Sequence, residues 1–574
     1  MMTFRIVPWS SWARRVLAAA FLFLSVSARP EETPSATNGS VVTLPPFVVS
    51  SKSRPWQYIR LGDFEVLSRC TETATRDFVA RLFRAYQLFY ALVPGNIRVQ
   101  PTAPTAFILY ADDMSVALPP EILLKMRTES LHQIRTPPNF MLIDRDEAEV
   151  VVLYPEKTAD FELHTDFLNL MIGGRAPPPP RWLLVGFATF YQQVGAVMKT
   201  DSAWSQLWAS LLSRPEEQAV SVNPLTWISP EISSAIQNDP EFPRRLLPLR
   251  ELFSDQAQNR ATTDSDYAAV WQAEANLFVR WAFDEQHPDR LTAFWKFVER
   301  TSAEPPAKED VFEQCFGFGY SDMLDRLVDY QTAAVANPLQ IALGKLPRVP
   351  DFRIRLATSS ELGRIKGDWE RLEARYVRKE WPELARVYLD QARQTLSMAQ
   401  ERDPQNPELS AVLGLCEADA GRAGQSLLEA AVAAGVQRPR LYFELARLRY
   451  AEALAVSGGA DGRLTAEQAF KISEPLWQGM RLSPAMPEMY GLLGEVWQRC
   501  PLPLPPEALA ALHRGAGLFP RDAGYALTAA SVFAAHGESE EALRLVDQGL
   551  KADPDSPVRD RLVQLKASQQ ATGP

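Results

Sequence analysis

From residue 359 to about 567 the chain repeats one short theme: a Pro- or Asp-marked start, apolar residues three and four apart, and a small residue where the pattern turns back. DPQNPELSAVLGLCEADAG (403–421), RPRLYFELARLRY (438–450) and SPAMPEMYGLLGEVW (483–497) all open this way. A single unit of this kind can bury its apolar face only against a neighbour, so the region is expected to stack helix pair on helix pair. GGADGRLT (458–465) and PLPLPP (501–506) interrupt the period, which predicts unequal units and leaves a non-repetitive helical bundle as the alternative.

The last unit is the most regular. Ala529, Ala530, Phe533, Gly537, Ala542, Val546, Gly549 and Pro554 fall at the small and large packing positions of a period of about 34 residues. Leu413-Gly414 and Gly421 repeat the theme after a helix carrying Ala392, Leu396 and Ala399. This pattern resembles the tetratricopeptide repeat, degenerate over residues 359–567, with 568–574 as a tail. The resemblance implies an extended concave groove suited to a peptide or protein segment. Tyr442, Arg447, Tyr490 and Trp497 are the candidates for lining it, although aromatic side chains at such places are at least as often stack core.

The preceding half reads differently. YIRLGDFEVLSR alternates around Gly62-Asp63 as a hairpin does, and TETATRDFVARLFRAYQLFYALV then spaces Phe78, Leu82, Tyr86 and Phe89 as a helix does. PTAFILYAD (104–112) and AEVVVLYP (148–155) add strands, and from about residue 160 to 335 the spacing is helical. The expectation is an α+β domain over residues 56–335, strands early and helices late, followed by an all-α repeat domain. PLQIALGKLPRVPDF carries three prolines and marks a boundary, placed at residues 336–358 as a linker.

Within the first domain, HTDFLNLMIGGRAPPPPRWLLVGFATFY (164–191) outlines a helix, a proline-rich loop and a second helix. Together with the flanking strand FILYAD and the later LLPLRELF, AEANLFVRWAFDE, LTAFWKFVER and VFEQCFGFGYSDMLDRLVDY, this order resembles the gluzincin, MA-clan class of metallopeptidase domains, particularly peptidase-MA-like domains followed by tetratricopeptide repeats. Such a zincin-like domain would carry HExxH on the first helix and WxxEGxA on the second. Two His at i and i+4 share one helical face and bind Zn²⁺, the Glu between them activates the bound water, and the second-helix Glu completes the ligand set.

Here Thr165 and Asn169 stand where the two His would be, Asp166 at the general base, and Val185 at the third ligand. A one-residue shift brings His164 to the first position but puts Thr165 at the base and Leu168 at the second His. Neither register supplies the nitrogen, sulfur and carboxylate donors that Zn²⁺ favours. The expectation is therefore a degenerate frame with no catalytic residue, no metal and no cofactor. Either the frame is a plain structural helix pair, or it retains a cleft in which His164, Asp166, Asn169 and Tyr191 could touch a peptide.

Other chemistry finds little purchase. There is no GxSxG elbow and no GxxxxGK[ST] loop, and the acids Asp112-Asp113, Asp144, Asp146 and Glu147 read as solvated turn or strand-end residues. Four cysteines without CxxC spacing suggest no zinc knuckle and leave a Cys70–Cys315 bridge open. Residues 1–28, with Arg5, Arg14 and Arg15, an apolar run over 16–26 and Val26-Ser27-Ala28, read as a signal peptide cleaved near Ala28. Residues 29–55 read as a flexible tether. Export to the periplasm or the exterior is the expectation, with no later transmembrane helix. Losing that leader would take the formal charge from −10 to −13, which disfavours nucleic acid as a partner. The reading is an exported, non-catalytic pseudopeptidase whose helical repeats bind or scaffold a protein or peptide. The competing class is an enzyme, either an active zinc peptidase of the gluzincin type or a hydrolase with an unrecognised site.

Overall fold

Six strands form a mixed sheet in the order β4-β5-β3-β2-β1-β8. The computed structural model describes residues 54–574, apart from 112–117, 120, 123–138, 145, 154–164, 200–217, 226–245, 285, 345–348, 457–461, 553–555 and 573–574. The leader and nearly all of the tether thus lie outside the described residues. β1 (Gln57–Leu61) and β2 (Phe64–Ser68) are the hairpin expected from the alternation, turning at Gly62 with φ +56°. β3 (Thr105–Tyr110) runs parallel to β2 and to β5 (Glu147–Leu153). β4 (Asn139–Asp144), which the sequence reading did not pick out, pairs antiparallel with β5.

The strands alternate between two cores. Phe64, Val66, Phe107, Leu109, Val150 and Val152 face one, while Leu67, Ala106, Ile108 and Val151 face the other. The first core is closed by helices of the N-terminal half: α1 (Glu72–Leu92), α2 (Thr165–Gly173), α3 (Arg181–Lys199), α4 (Leu249–Leu252), α5 (Asp255–Ala261), α6 (Ser265–Ala282), α7 (Pro288–Ala303), α8 (Glu309–Phe316) and α9 (Tyr320–Ala336). α1 starts where the Thr71 hydroxyl accepts the Ala74 N–H at 3.2 Å, and Phe78, Leu82 and Phe89 on its buried stripe enter that core.

The second core is closed by α10 (Ser359–Val377), the first helix of the repeat region, through Ile365, Trp369 and Leu372. Phe140 of β4 meets Trp369 and Tyr376 edge-on at 5.9 and 5.2 Å. The segment expected as a linker is built into this arrangement. Its β7 (Leu339–Gly344) pairs with β6 (Gln218–Val222), and β8 (Arg355–Leu356) adds to the sheet beside β1. The backbone between its prolines finds partners in both sheets, and residues 54–574 form one compact unit.

Beyond α10 come α11 (Pro382–Arg402), α12 (Pro407–Asp419), α13 (Gln425–Ala433), α14 (Pro439–Val456), α15 (Ala466–Gly479), α16 (Pro487–Arg499), α17 (Pro506–Leu518), α18 (Ala523–Ala535), α19 (Ser539–Ala552) and α20 (Arg559–Thr572). Proline stands at the first turn of α11, α12, α16 and α17, where its missing N–H costs nothing, and this is why the sequence punctuates each unit with Pro. Consecutive helices pack as pairs, α10 on α11 through α18 on α19, giving tetratricopeptide-like helical repeats. In the last pair Ala529, Ala530, Phe533, Ala542 and Val546 are fully buried, and Gly537 takes the left-handed conformation between the helices at φ +82°. α20 buries Leu562 against the stack and exposes a mostly polar remainder with Val563 among it, which closes the stack. All four cysteines are free. Among the described residues no helix is long and apolar enough to cross a membrane.

Candidate functional site

The helix pair α2/α3 stands at the heart of the first core. Trp182 sits among Phe253, Phe278, Phe294 and Phe297, with ring centroids 5.1–6.1 Å away. Gly186 lets α3 lie directly on α6: a Cβ there would come within 2.6 Å of the Ala275 backbone. The Gly186 carbonyl accepts from Asn276 Nδ2 at 3.3 Å. Tyr191, a candidate cleft residue, is buried, and its hydroxyl donates to the Ala85 carbonyl at 2.7 Å, so it is tied into packing. Val185 and Asn169 are half-buried, and Val185 packs against the same core. His164 and the side chains of Thr165 and Asp166 lie outside the described residues. Among the described residues no group of His, Cys, Asp or Glu is arranged to hold a metal ion.

The same core contains a buried acid. Glu274 of α6 accepts the Leu247 N–H at 2.7 Å, while its other carboxyl oxygen has no partner. Burial pushes its pKa up to about 8, against the pull of that hydrogen bond, so it is neutral through the acidic range.

A second concentration of charge lies on the opposite face of the sheet. Asp144 and Asp146, which the sequence placed in a solvated turn, are 6% and 4% exposed, and that reading is corrected. The β4–β5 turn is pressed under α10 and α14, whose arginines enclose it. Asp144 is bridged by Arg375 and Arg440, with Arg371 at 3.6 Å. Asp146 accepts the Arg440 backbone N–H at 2.8 Å. Arg371 also binds Asp368 at 2.6 Å and Asp419 at 3.1 Å, and Asp368 in turn binds Arg438 at 2.9 Å. Burial pushes Asp146 up to about 7, against the Arg438 charge, and raises Glu149 well above the usual carboxylate range with Asp368 reinforcing it. The seam therefore joins sheet to repeats by ion pairs whose partners come from distant parts of the sequence. Arg364, Arg371 and Arg375 on one helix are the signal that could have announced it.

Where this seam reaches the surface it opens into a cleft of about 430 Å³, walled by β1 and β2, the segment 102–104, the first turn of α10, the start of α12 and the loop 434–438. That size lies within the range of about 300–1,000 Å³ typical of small-ligand pockets. Glu65 is held at its floor. The Tyr58 hydroxyl donates to one carboxyl oxygen at 2.6 Å and Arg364 donates to the other at 2.7 Å. Burial alone would raise the Glu65 pKa, but the Arg364 charge and these two hydrogen bonds outweigh it and hold the carboxyl below its ordinary value. Ser360 and Asn406 both bind Asp403, at 2.7 and 3.0 Å, and Asn406 caps α12 by accepting the Glu408 and Leu409 N–H groups.

The four repeat residues singled out as groove candidates lie elsewhere. Tyr442, Tyr490 and Trp497 are buried in the stack, and Tyr490 meets Phe519 and Tyr525 edge-on. Arg447 is partly exposed and binds Glu444 at 2.6 Å. Buried rings show no face to a partner, and the physical reason is the one that left the choice open: the spacing that lines a groove also fills a stack. The cleft residues were missed because they come from five separate stretches, with no spacing to connect them.

The chain shows partial similarity to solved repeat structures. It is similar to a thermophilic tetratricopeptide protein from Thermus thermophilus at 18% identity, covering 32% of this chain and 92% of that one, with a TM-score of 0.23. It is also similar to YrrB, described as a tetratricopeptide protein with an unusual peptide-binding site, at 18% identity over 33% and 88% of the two chains, TM-score 0.25. For Pseudomonas aeruginosa pilF the figures are 16% identity, 38% and 90% coverage, and TM-score 0.27. At such scores the helical-repeat assignment rests on this chain's own helix pairs. No family model matches the chain, and no curated protein matches it in sequence.

Proposed function

We propose that this protein is an exported, non-catalytic binding module in which a degenerate peptidase-like α+β body is fused to helical repeats, and that it holds a protein or peptide segment in the cleft where the two meet. The cleft carries the reading: it is charged, open to solvent, and built jointly by β1 and β2 of the sheet and the first repeats. Helical repeats commonly present such concave surfaces to extended segments.

The non-catalytic part rests on Asn169 and Val185, which offer Zn²⁺ no imidazole or carboxylate, and on the aromatic packing around Trp182 and Phe187. Export rests on the leader alone, and the exclusion of nucleic acid rests on the acidic balance.

The test is retention of a random heptapeptide library on the purified full chain and on Gln437→Trp, which fills the cleft mouth from an exposed position. Retention should fall by about tenfold or more, a loss equivalent to about 1.4 kcal/mol. Unchanged retention removes the cleft from the function. Stoichiometric zinc in the same preparation, abolished by changing His164 or Asp166, would establish the enzyme reading instead.

A further inference from the structure

Arg364 of α10 carries the inference. It is 8% exposed, yet among the described residues it makes one hydrogen bond to the protein, from Nη2 to Glu65. A guanidinium has five N–H donors in a planar fork, and leaving them unmatched in a buried setting is costly. The remaining Arg364 donors are not sealed orphans, because the side chain forms part of the cleft wall and its other N–H groups reach the space inside. Glu65 cannot turn to serve them, since its two oxygens are already occupied by Tyr58 and Arg364. The floor of the cleft is thus a guanidinium held through one Nη2 and open at its other N–H groups.

The surrounding charges limit what can complete it. Arg438, on the same wall, is bound by Asp368 at 2.9 Å, so its charge is already answered. Glu361 is held by Arg355 and the Thr358 N–H. Two lining charges remain without a salt bridge among the described residues: Arg60, exposed on β1, and Glu408, exposed at the start of α12. Glu408 lies within electrostatic reach of both Arg364 and Arg438 without binding either. One further anion is what the open Arg364 N–H groups lack, with Arg60 the unbridged cation on the same lining. The negative charge of Glu408, within reach of Arg364, disfavours a dianion such as phosphate.

Resting on the proposed cleft function, we infer that the cleft recognises a carboxylate on its peptide ligand, which docks on the open N–H edge of Arg364 with Arg60 beside it. Tyr58 and Glu65 act as positioning residues that hold the guanidinium in place. Glu408 sets an upper limit on the negative charge the cleft accepts.

The experiment titrates the full chain with N-acetyl-Ala-Ala-Ala, its C-terminal amide, N-acetyl-Ala-Glu-Ala amide and inorganic phosphate, following the Arg364 Nε–H resonance. Both acid-bearing peptides should shift it saturably, and the acid-free amide and phosphate should not. Arg60→Ala should weaken the acid-bearing peptides by about threefold to tenfold, and Glu408→Gln should tighten them by about twofold, as expected for screened charges near a surface. Because Arg364→Gln alone strands a buried carboxylate, Arg364→Gln is combined with Glu65→Gln, and this neutral pair, followed by titration calorimetry with the same peptides, should abolish the binding. Equal binding of the amide, displacement by phosphate, or weakening by Glu408→Gln overturns the carboxylate assignment. If Gln437→Trp abolishes library retention while acid and amide bind alike, only this inference fails. If Gln437→Trp changes nothing, the cleft function itself fails.

Discussion

Glu274 and Asp146 make an unusual demand on pH. Both are buried carboxyls whose pKa is raised, to about 8 and about 7, so the folded chain holds protons that the unfolded chain releases near pH 4. The sign follows from this: their contribution is fully present below the unfolded value and is lost as pH rises through 7 to 8. Glu65 has the opposite sign, with a depressed pKa whose stabilisation disappears as pH falls below the ordinary carboxylate range. Urea unfolding should therefore show greatest stability near pH 5 and a loss by pH 8, with Glu274 alone contributing on the order of 3 kcal/mol. Glu274→Gln keeps an acceptor for the Leu247 N–H and should flatten that decline; an equally steep decline in the variant would exclude Glu274 as its source. None of this was legible in the sequence, where Glu274 is one acid in a helical stretch and Asp146 one of several in a turn. A titrating group's environment is made by residues far along the chain.

At the scale of elements, contacts between helices depend on how closely two backbones approach. Gly186 brings α3 onto α6 without a side chain between them, and Gly363 and Gly367 bring α10 onto Ala399 and Leu396 of α11. Gly186→Ala should gain helix propensity yet destabilise the protein by about 1–3 kcal/mol, because the obstructing atoms are the Ala275 backbone and cannot rotate away. A chemical-denaturation midpoint that rises in this variant would show that the helices separate freely. The helices themselves were readable. Apolar spacing, Thr71, Asn406 and the first-turn prolines mark where they begin, since those signals act within a few residues. β4 and β8 were not readable. Asn139–Asp144 has no clean alternation, and two residues of β8 become a strand only because β1 lies beside them.

For the whole molecule, the decisive feature is that the sheet has two covered faces and the repeat region supplies one of the covers. Residues 54–358 produced alone would expose Leu67, Ala106, Ile108 and Val151 and would leave Glu65 and Asp144 without their arginines. The fragment would lose the apolar burial of that face and its buried ion pairs together, against a usual total stability of only about 5–15 kcal/mol. This fragment should be insoluble or melt without cooperativity, as judged by yield and a circular-dichroism melt; a soluble fragment with a sharp transition would show that the seam is dispensable. The sequence by itself determined the alternation of the early strands, the helical periodicity and the repeat cadence ending in α18 and α19, because each is encoded within one turn, one strand or one motif. Tertiary structure alone decided that α10 belongs to the sheet as much as to the stack, that Asp144 and Asp146 are buried, and that Arg364, Arg60 and Glu408 meet around one cleft. Those outcomes depend on which surface covers which, and a local pattern specifies an apolar or charged face without naming its partner.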